Sequence, residues 1–106
     1  MTQFGVVLVT ASSETEANTI ASALVQERLA ACVSLVPIQS VYRWQGEVQQ
    51  ETEWQLMIKT DLAQFTTLAE RVQQLHSYEV PEIIALPIVA GTETYLNWVA
   101  AETAQP

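Results

Sequence analysis

Two long runs of strand-forming residues meet at Gln45 and Gly46, and this pair restricts the possible folds more than any other feature. A polar residue followed by glycine between two such runs predicts a two-residue β-hairpin turn, in which Gly46 supplies the positive φ. The first run is AACVSLVPIQSVYRW, and the second extends from Val48 to Thr60. With about a dozen residues in each arm at ~3.3 Å per residue, each arm would reach roughly 40 Å.

The hairpin is longer than the helices that can cover it. A helix of about a dozen residues spans only ~18 Å. The tip, VYRWQGEVQQE, is therefore expected to project beyond the helices. An exposed two-stranded arm with aromatic side chains tends to associate with another chain. We predict an oligomer interface at Tyr42, Trp44, Glu51 and Trp54, with a neighbouring subunit covering the arm.

Two further strands are predicted outside the hairpin, one before it and one after it. FGVVLVT, residues 4–10, is a run rich in β-branched residues and is typical of a central strand. EIIALPIV, residues 82–89, predicts the fourth strand.

Three helices are predicted between and after these strands. Ser13 and Glu16 fit a capping box at the start of the first helix. Asp61 and Thr92 fit the N-caps of the second and third helices. The order β-α-β-β-α-β plus a C-terminal helix predicts an α+β, ferredoxin-like domain that occupies residues 1–106 as a single unit.

The second arm of the hairpin alternates, so its odd-numbered side chains share one sheet face. A simple register from the turn places Cys32 opposite Lys59 and Ser40 opposite Glu51. This face mixes apolar and charged residues, which favours an oligomer interface that encloses a polar cleft. Pro37 has no amide hydrogen to donate, so we expect either an edge strand or a bulge there.

Charge and cysteine content restrict the partners. Twelve acidic and four basic residues give a net charge of −8, which disfavours nucleic acid and anionic membranes and favours a small cation. Cys32 is the single cysteine, so no intrachain disulfide is possible. Neither a signal-like N-terminus nor a membrane-length apolar segment is recognised, and we predict a cytoplasmic protein that does not contact membranes.

Five motifs, in order along the chain, resemble the CutA divalent-cation-tolerance proteins. They are RLAACVS, SVYRWQGEV, WQLMIKT, HSYEVPEIIALPI and GTETYLNWV. The resemblance implies a ferredoxin-like subunit in a homotrimer and a role in metal-ion tolerance, with copper binding in some members. It also implies a relation in shape to PII signalling trimers. The alternative function is therefore a PII-like regulator that binds a small anionic ligand in intersubunit clefts.

The chain departs from the family pattern in two places. The usual HPYE is HSYE here, with Ser77 in place of proline. The resemblance also implies, for metal-binding members, a site with a cysteine late in the first strand and paired histidines before the fourth. This chain has Val9 and Leu75 at two of those positions, and only His76 remains.

The candidate intersubunit cleft comprises Cys32, Lys59, His76, Tyr78 and Glu79. His76 and Glu79 are its candidate metal ligands, since imidazole and carboxylate are common donors. The alternative for His76 is a turn residue that hydrogen-bonds across a subunit boundary. No cofactor is required, and a divalent cation such as copper is the candidate ligand.

Lys59 and Cys32 each have two interpretations. Lys59 either pairs with a carboxylate across an interface or binds an anionic ligand. Cys32 is either a small buried apolar residue or a thiolate favoured by Lys59. Although Glu79 could serve as a general base, neither a nucleophile–base pattern nor a glycine-rich phosphate loop is present. The sequence therefore predicts a binding or structural module and not an enzyme.

Overall fold

The computed structural model describes residues 3–106, which form one four-stranded sheet and three α-helices. In chain order the elements are β1 (Phe4–Ala11), α1 (Glu14–Gln26), β2 (Cys32–Trp44), β3 (Glu47–Asp61), a 3₁₀ helix (Leu62–Gln64), α2 (Phe65–Leu75), β4 (Ile83–Pro87) and α3 (Glu93–Thr103). The sheet order is β2-β3-β1-β4, and every neighbouring pair is antiparallel. The predicted ferredoxin-like order is confirmed.

The hairpin turn has the predicted two-residue length, because Trp44 and Glu47 form the closing pair. Gly46 has a φ of 83°, as expected, and Gln45 also has a positive φ, of 52°. Two successive positive φ values are typical of a type I′ turn, whose twist matches that of the flanking strands.

The predicted register of the hairpin is also confirmed. Cys32 lies opposite Lys59, and Ser40 lies opposite Glu51. Pro37 lies opposite Trp54 within a continuous ladder, so the register contains no bulge at this position. Proline is tolerated because β2 is an edge strand.

The start of α1 differs slightly from the predicted capping box. Ser13 Oγ accepts a 3.1 Å hydrogen bond from the backbone N–H of Glu16, as expected. The Glu16 carboxylate, however, accepts 3.1 Å bonds from the backbone N–H and hydroxyl of Ser12 and not from the N–H of Ser13. Two successive serines, Ser12 and Ser13, therefore make the side-chain and backbone hydrogen bonds at the start of α1.

The other two predicted caps are only partly as expected. Asp61 accepts a 2.9 Å bond from the N–H of Ala63, so it caps the 3₁₀ helix that leads into α2 and not α2 itself. Thr92 occupies the N-cap position of α3, but its side chain makes no capping bond. β4 is shorter than predicted, with five residues at 83–87.

The core lies between the sheet and the two helices α1 and α2. Side chains alternate across a strand, so every second residue of β1 is buried. The buried core residues are Val7, Val9, Ala11, Ala17, Ile20, Leu24, Leu29, Ala30, Leu56, Ile58, Leu68 and Val72. Full burial of one leucine or isoleucine side chain contributes about 1.5–3 kcal/mol.

The opposite sheet face and the hairpin arm are much less covered. No residue between 47 and 52 is buried, which agrees with an arm that projects beyond the helices. Large apolar side chains are exposed on the arm and on β4. They are Val36, Val41, Tyr42, Trp44, Val48, Ile84 and Leu86.

Candidate functional site

His76 is the C-cap residue of α2 and the first residue of the connection to β4. Its Nε2 lies 2.6 Å from the carbonyl oxygen of Thr10, and its Nδ1 accepts a 3.0 Å bond from the N–H of Tyr78. A carbonyl oxygen can only accept, so Nε2 carries the proton and Nδ1 presents its lone pair. Both ring nitrogens are occupied by backbone groups of the same chain.

The next residue ties the connection to α1. The N–H of Ser77 donates a 2.8 Å hydrogen bond to Glu16 Oε2, while Ser12 binds the other carboxylate oxygen. Partial burial raises the pKa of Glu16, but the hydrogen bonds from Ser77 and Ser12 outweigh it, and the net pKa lies below its ordinary value. A proline at position 77 would have no N–H for this bond.

Tyr78 reaches from the connection to the middle of β3. Its hydroxyl donates a 2.6 Å hydrogen bond to Oε2 of Glu53, and its ring centroid lies 4.7 Å from that of His76. Burial raises the pKa of Tyr78, and the bond to Glu53 together with the negative charge there raises it further. Tyr78 is therefore a neutral donor to a carboxylate.

A cleft of about 780 Å³ lies between the hairpin arm and the connection. We call this space the arm cleft. Its lining residues are Thr10, Ile38, Gln39, Ser40, Val41, Tyr42, Trp44, Glu53, Gln55, Ser77, Tyr78, Glu79, Val80 and Glu82. Three of them are acidic and none is basic, so the arm cleft favours positive charge.

The four basic residues of the chain lie outside this lining. Arg28 donates to the carbonyl oxygens of Ala101 and Ala104 at the end of α3. Arg71 pairs with Glu27 at 3.0 Å, and this is the one ion pair found within residues 3–106.

The predicted cleft residues separate into two groups within one chain. Tyr78 and Glu79 line the arm cleft, and His76 positions Tyr78 through its Nδ1. Cys32 and Lys59 form a cross-strand pair further along the sheet, and Lys59 donates a 3.2 Å bond to Ser34 Oγ. At ~3.3 Å per residue, the six positions between Glu53 and Lys59 on β3 amount to roughly 20 Å.

The predicted interface residues also occupy different environments. Tyr42 and Trp44 are exposed on the arm and line the arm cleft. The pKa of Tyr42 is raised, first by hydrogen bonding with Glu51, then by desolvation, and then by the negative charges of Glu51 and Glu53. Trp54 packs against the core of its own chain, where it already has a structural role.

The described residues of one chain do not supply enough metal-binding side chains for a complete metal site. Among residues 3–106, no three side chains of histidine, cysteine, aspartate or glutamate lie close enough together to hold an ion. Val9 is fully buried and Leu75 packs against the core, so neither position opens onto a site. Coordination by His76 would require Nδ1 or Nε2 to give up a backbone hydrogen bond.

Two residues important to the site were not among the sequence predictions of cleft residues. As an odd-numbered residue of the second hairpin arm, Glu53 is expected from the sequence only on the mixed face of the sheet, and Glu16 is expected only in a capping box. The signal for Glu53 was its place in the alternation, since it shares the face of Glu51 and Lys59. The sequence does not reveal which residues bind these two carboxylates, because Tyr78 and Ser77 are distant in the sequence from Glu53 and Glu16.

Comparison with known proteins gives consistent matches. Residues 5–102 match the family described as CutA1 divalent ion tolerance protein. The divalent-cation tolerance protein CutA of Thermus thermophilus is 56% identical over 99 residues, covering 92% of this chain and 96% of that protein. A solved structure of the Cut A1 divalent cation tolerance protein from the same organism has a TM-score of 0.93 at 54% identity, covering 95% of this chain and 99% of that chain.

A more distant structure carries the same fold. The periplasmic divalent cation tolerance protein CutA from Archaeoglobus fulgidus has a TM-score of 0.94 at 35% identity, covering 95% of this chain and 99% of that chain. None of the helices within residues 3–106 has the length and apolar character needed to cross a membrane.

Proposed function

The chain belongs to the CutA1 divalent ion tolerance protein family, and from this membership we propose that it is a homotrimeric module acting in divalent-cation tolerance. The observation that carries the assembly is the uncovered hairpin arm together with the open sheet face. Val41 and Val48 on the arm are 66% and 61% exposed, and Ile84 and Leu86 are exposed on β4. Burial of this apolar surface by neighbouring copies would stabilise an oligomer.

The assembly is tested by light scattering during gel filtration. We expect three times the chain mass of 11.8 kDa for the wild type. Val41→Glu on the arm should reduce the oligomer mass, because it places a charge in the interface. Val25→Glu, at a valine of α1 that is 44% exposed, is the control and should leave the mass unchanged. A monomeric wild type would contradict the proposal.

We propose His76 and Glu79 as metal donors at a boundary between subunits, since one chain does not supply a closed set. Copper is the probe. If His76 is a donor, His76→Ala should weaken copper binding by about tenfold or more, which corresponds to ~1.4 kcal/mol. Glu79→Gln should act in the same direction, whereas the exposed Glu70→Gln on α2 should not. Equal copper affinities for the wild type and His76→Ala would exclude His76 from the site.

The anionic-ligand alternative receives no support from the arm cleft. Its lining carries three carboxylates, Glu53, Glu79 and Glu82, and no basic residue. Such a site repels phosphates and carboxylic acids. We do not propose a PII-like regulatory role.

We propose the cytoplasm as the compartment. The single free cysteine, Cys32, is partly exposed and is compatible with a reducing environment. Fractionation of cells that express the chain tests this placement, and recovery in a periplasmic or organellar fraction would contradict it.

A further inference from the structure

Arg43 lies next to the hairpin turn, and its side chain is exposed. Within residues 3–106 its guanidinium forms neither an ion pair nor a side-chain hydrogen bond. The other three basic side chains, those of Arg28, Lys59 and Arg71, each donate to groups of the same chain. In a chain with a net charge of −8, Arg43 is thus the cation that remains available to another molecule.

The guanidinium of Arg43 points away from the arm cleft of its own chain. Arg43 and Val48 form a cross-strand pair, and neither residue lines the cleft. Since side chains alternate along a strand, this pair lies on the face of the arm opposite Tyr42 and Trp44, which do line it. Val48 is 61% exposed, so an unpaired cation lies beside an uncovered apolar side chain. We call Arg43 and Val48 the tip pair.

A surface of complementary character lies in the connection before β4. Glu79, Val80 and Glu82 are exposed and line the arm cleft, and we call them the rim segment. Val80 is 68% exposed between the two carboxylates, and none of the residues that line the cleft is basic. The rim segment thus combines an apolar side chain with negative charge, whereas the tip pair combines an apolar side chain with positive charge. Such matching of charge favours one specific contact between surfaces.

The shape of the chain allows these two surfaces to meet only between copies. The longest dimension of the fold is 44 Å, against 25 and 21 Å for the other two, and no residue between 47 and 52 is buried. The tip is therefore free to reach a neighbouring chain. Each copy has one tip pair and one rim segment, so the contact repeats head to tail and can close into a ring.

We propose that the tip pair of one copy docks on the rim segment of the next copy. The guanidinium of Arg43 binds between the carboxylates of Glu79 and Glu82. Val48 packs against Val80. A planar guanidinium suits this position because it binds carboxylates through paired hydrogen bonds. The inference rests on the homotrimer proposed above and adds to it a definite contact, in which each copy supplies a positive charge to the acidic cleft of its neighbour.

A charge exchange in the full-length protein tests the ion pair. Arg43→Glu and Glu82→Arg should each lower the urea concentration at which the oligomer dissociates by about 1 M, because each brings like charges together. The double variant should return to a value near that of the wild type, because the exchanged charges attract again. Light scattering at a fixed chain concentration measures dissociation. Arg43→Glu combined with Glu70→Arg, on α2, is the control and should show no recovery.

A chemical cross-link tests which surfaces meet. In a Cys32→Ser background, Val48→Cys and Val80→Cys are combined in one chain and treated with a short bis-maleimide. Denaturing gel electrophoresis should then show bands of two and three chains. The control combines Val48→Cys with Val25→Cys, at an exposed position of α1, and should remain mostly a single chain. Circular dichroism confirms that each variant is folded.

Two results would overturn the proposed contact. One is a cross-linked sample of Val48→Cys with Val80→Cys that runs as a single chain. The other is a double charge variant that dissociates at no higher urea concentration than the weaker single variant. A single-chain mass for the wild type would contradict the homotrimer and the contact together. An oligomer of the expected mass without the cross-link would overturn the contact alone, so the two failures are distinguishable.

Discussion

The hydroxyl of Tyr78 donates a 2.6 Å hydrogen bond to the buried carboxylate of Glu53, 25 residues earlier in the chain. This bond joins the connection before β4 to the middle of β3. The N–H of Tyr78 is held in turn by Nδ1 of His76, whose Nε2 binds Thr10 on β1. A continuous series of bonds thus links two strands through the connection and shapes one wall of the arm cleft.

Tyr78→Phe should lower the free energy of unfolding by about 1–3 kcal/mol, because it leaves a buried carboxylate without its donor. Urea denaturation measures the change. Tyr95→Phe is the matched control, since Tyr95 is exposed on α3 and its hydroxyl makes no hydrogen bond within the described residues. Equal effects of the two substitutions would show that the bond to Glu53 does not stabilise the fold.

Glu16 should contribute to the acid sensitivity of the protein. Its folded-state pKa lies below the ordinary value of 4.5, so its contribution is fully present above about pH 4.5 and is lost as pH falls through the folded pKa. Glu16→Gln should lower stability by about 1 kcal/mol at pH 7 and should flatten the pH dependence below 4.5. The control Glu14→Gln removes an acidic residue from the same helical turn. An unchanged acid profile in the Glu16 variant would exclude this contribution.

Ser77→Pro should raise the pKa of Glu16, because proline removes the N–H that donates to Oε2. Carboxyl titration by NMR measures this shift. Proline also removes the hydroxyl, which is a further cause of the lowered pKa, so Ser77→Ala, which retains the N–H, should raise the pKa of Glu16 by less than Ser77→Pro. If the two variants titrate alike, the backbone bond from position 77 is not what lowers the pKa.

Substitutions in the hairpin turn should have opposite effects on stability. Gly46→Ala should destabilise the protein by about 1 kcal/mol, since alanine disfavours the φ of 83° even though no atom crowds the position. Gln45→Gly should stabilise it by several tenths of a kcal/mol, because glycine tolerates the φ of 52°. Chemical denaturation of both variants tests the pair, and changes of the same sign would contradict a type I′ turn.

Local patterns in the sequence determined the hairpin well. Gln45 and Gly46 set the turn, and the alternation that follows fixes the register up to the pairing of Cys32 with Lys59. A one-residue slip would move every buried side chain of β3 to the wrong face, so the pattern leaves little freedom. Pro37 was ambiguous, because an edge strand and a bulge both accommodate a missing amide hydrogen.

The site was harder to predict because its contacts join distant segments. The motif around His76 suggested a metal ligand or a turn residue, and no pattern could show that Thr10 and Tyr78 occupy both ring nitrogens. Lys59 looked close to the same cleft because it shares a sheet face with Glu53. Distance along the strand separates them, and periodicity carries no information about which part of a face a loop will cover.

The hairpin has a consequence for the order in which the chain folds. β2 and β3 are neighbours in sequence, so the arm can form on the microsecond scale of an isolated hairpin. One side of β1 pairs with β4, which lies near the other end of the chain, so this side stays unpaired until β4 has been made. During synthesis the apolar arm is therefore complete while the sheet still has an open strand. Glu47 and Glu51 on the arm give newly made chains like charges that keep them apart until each sheet has closed.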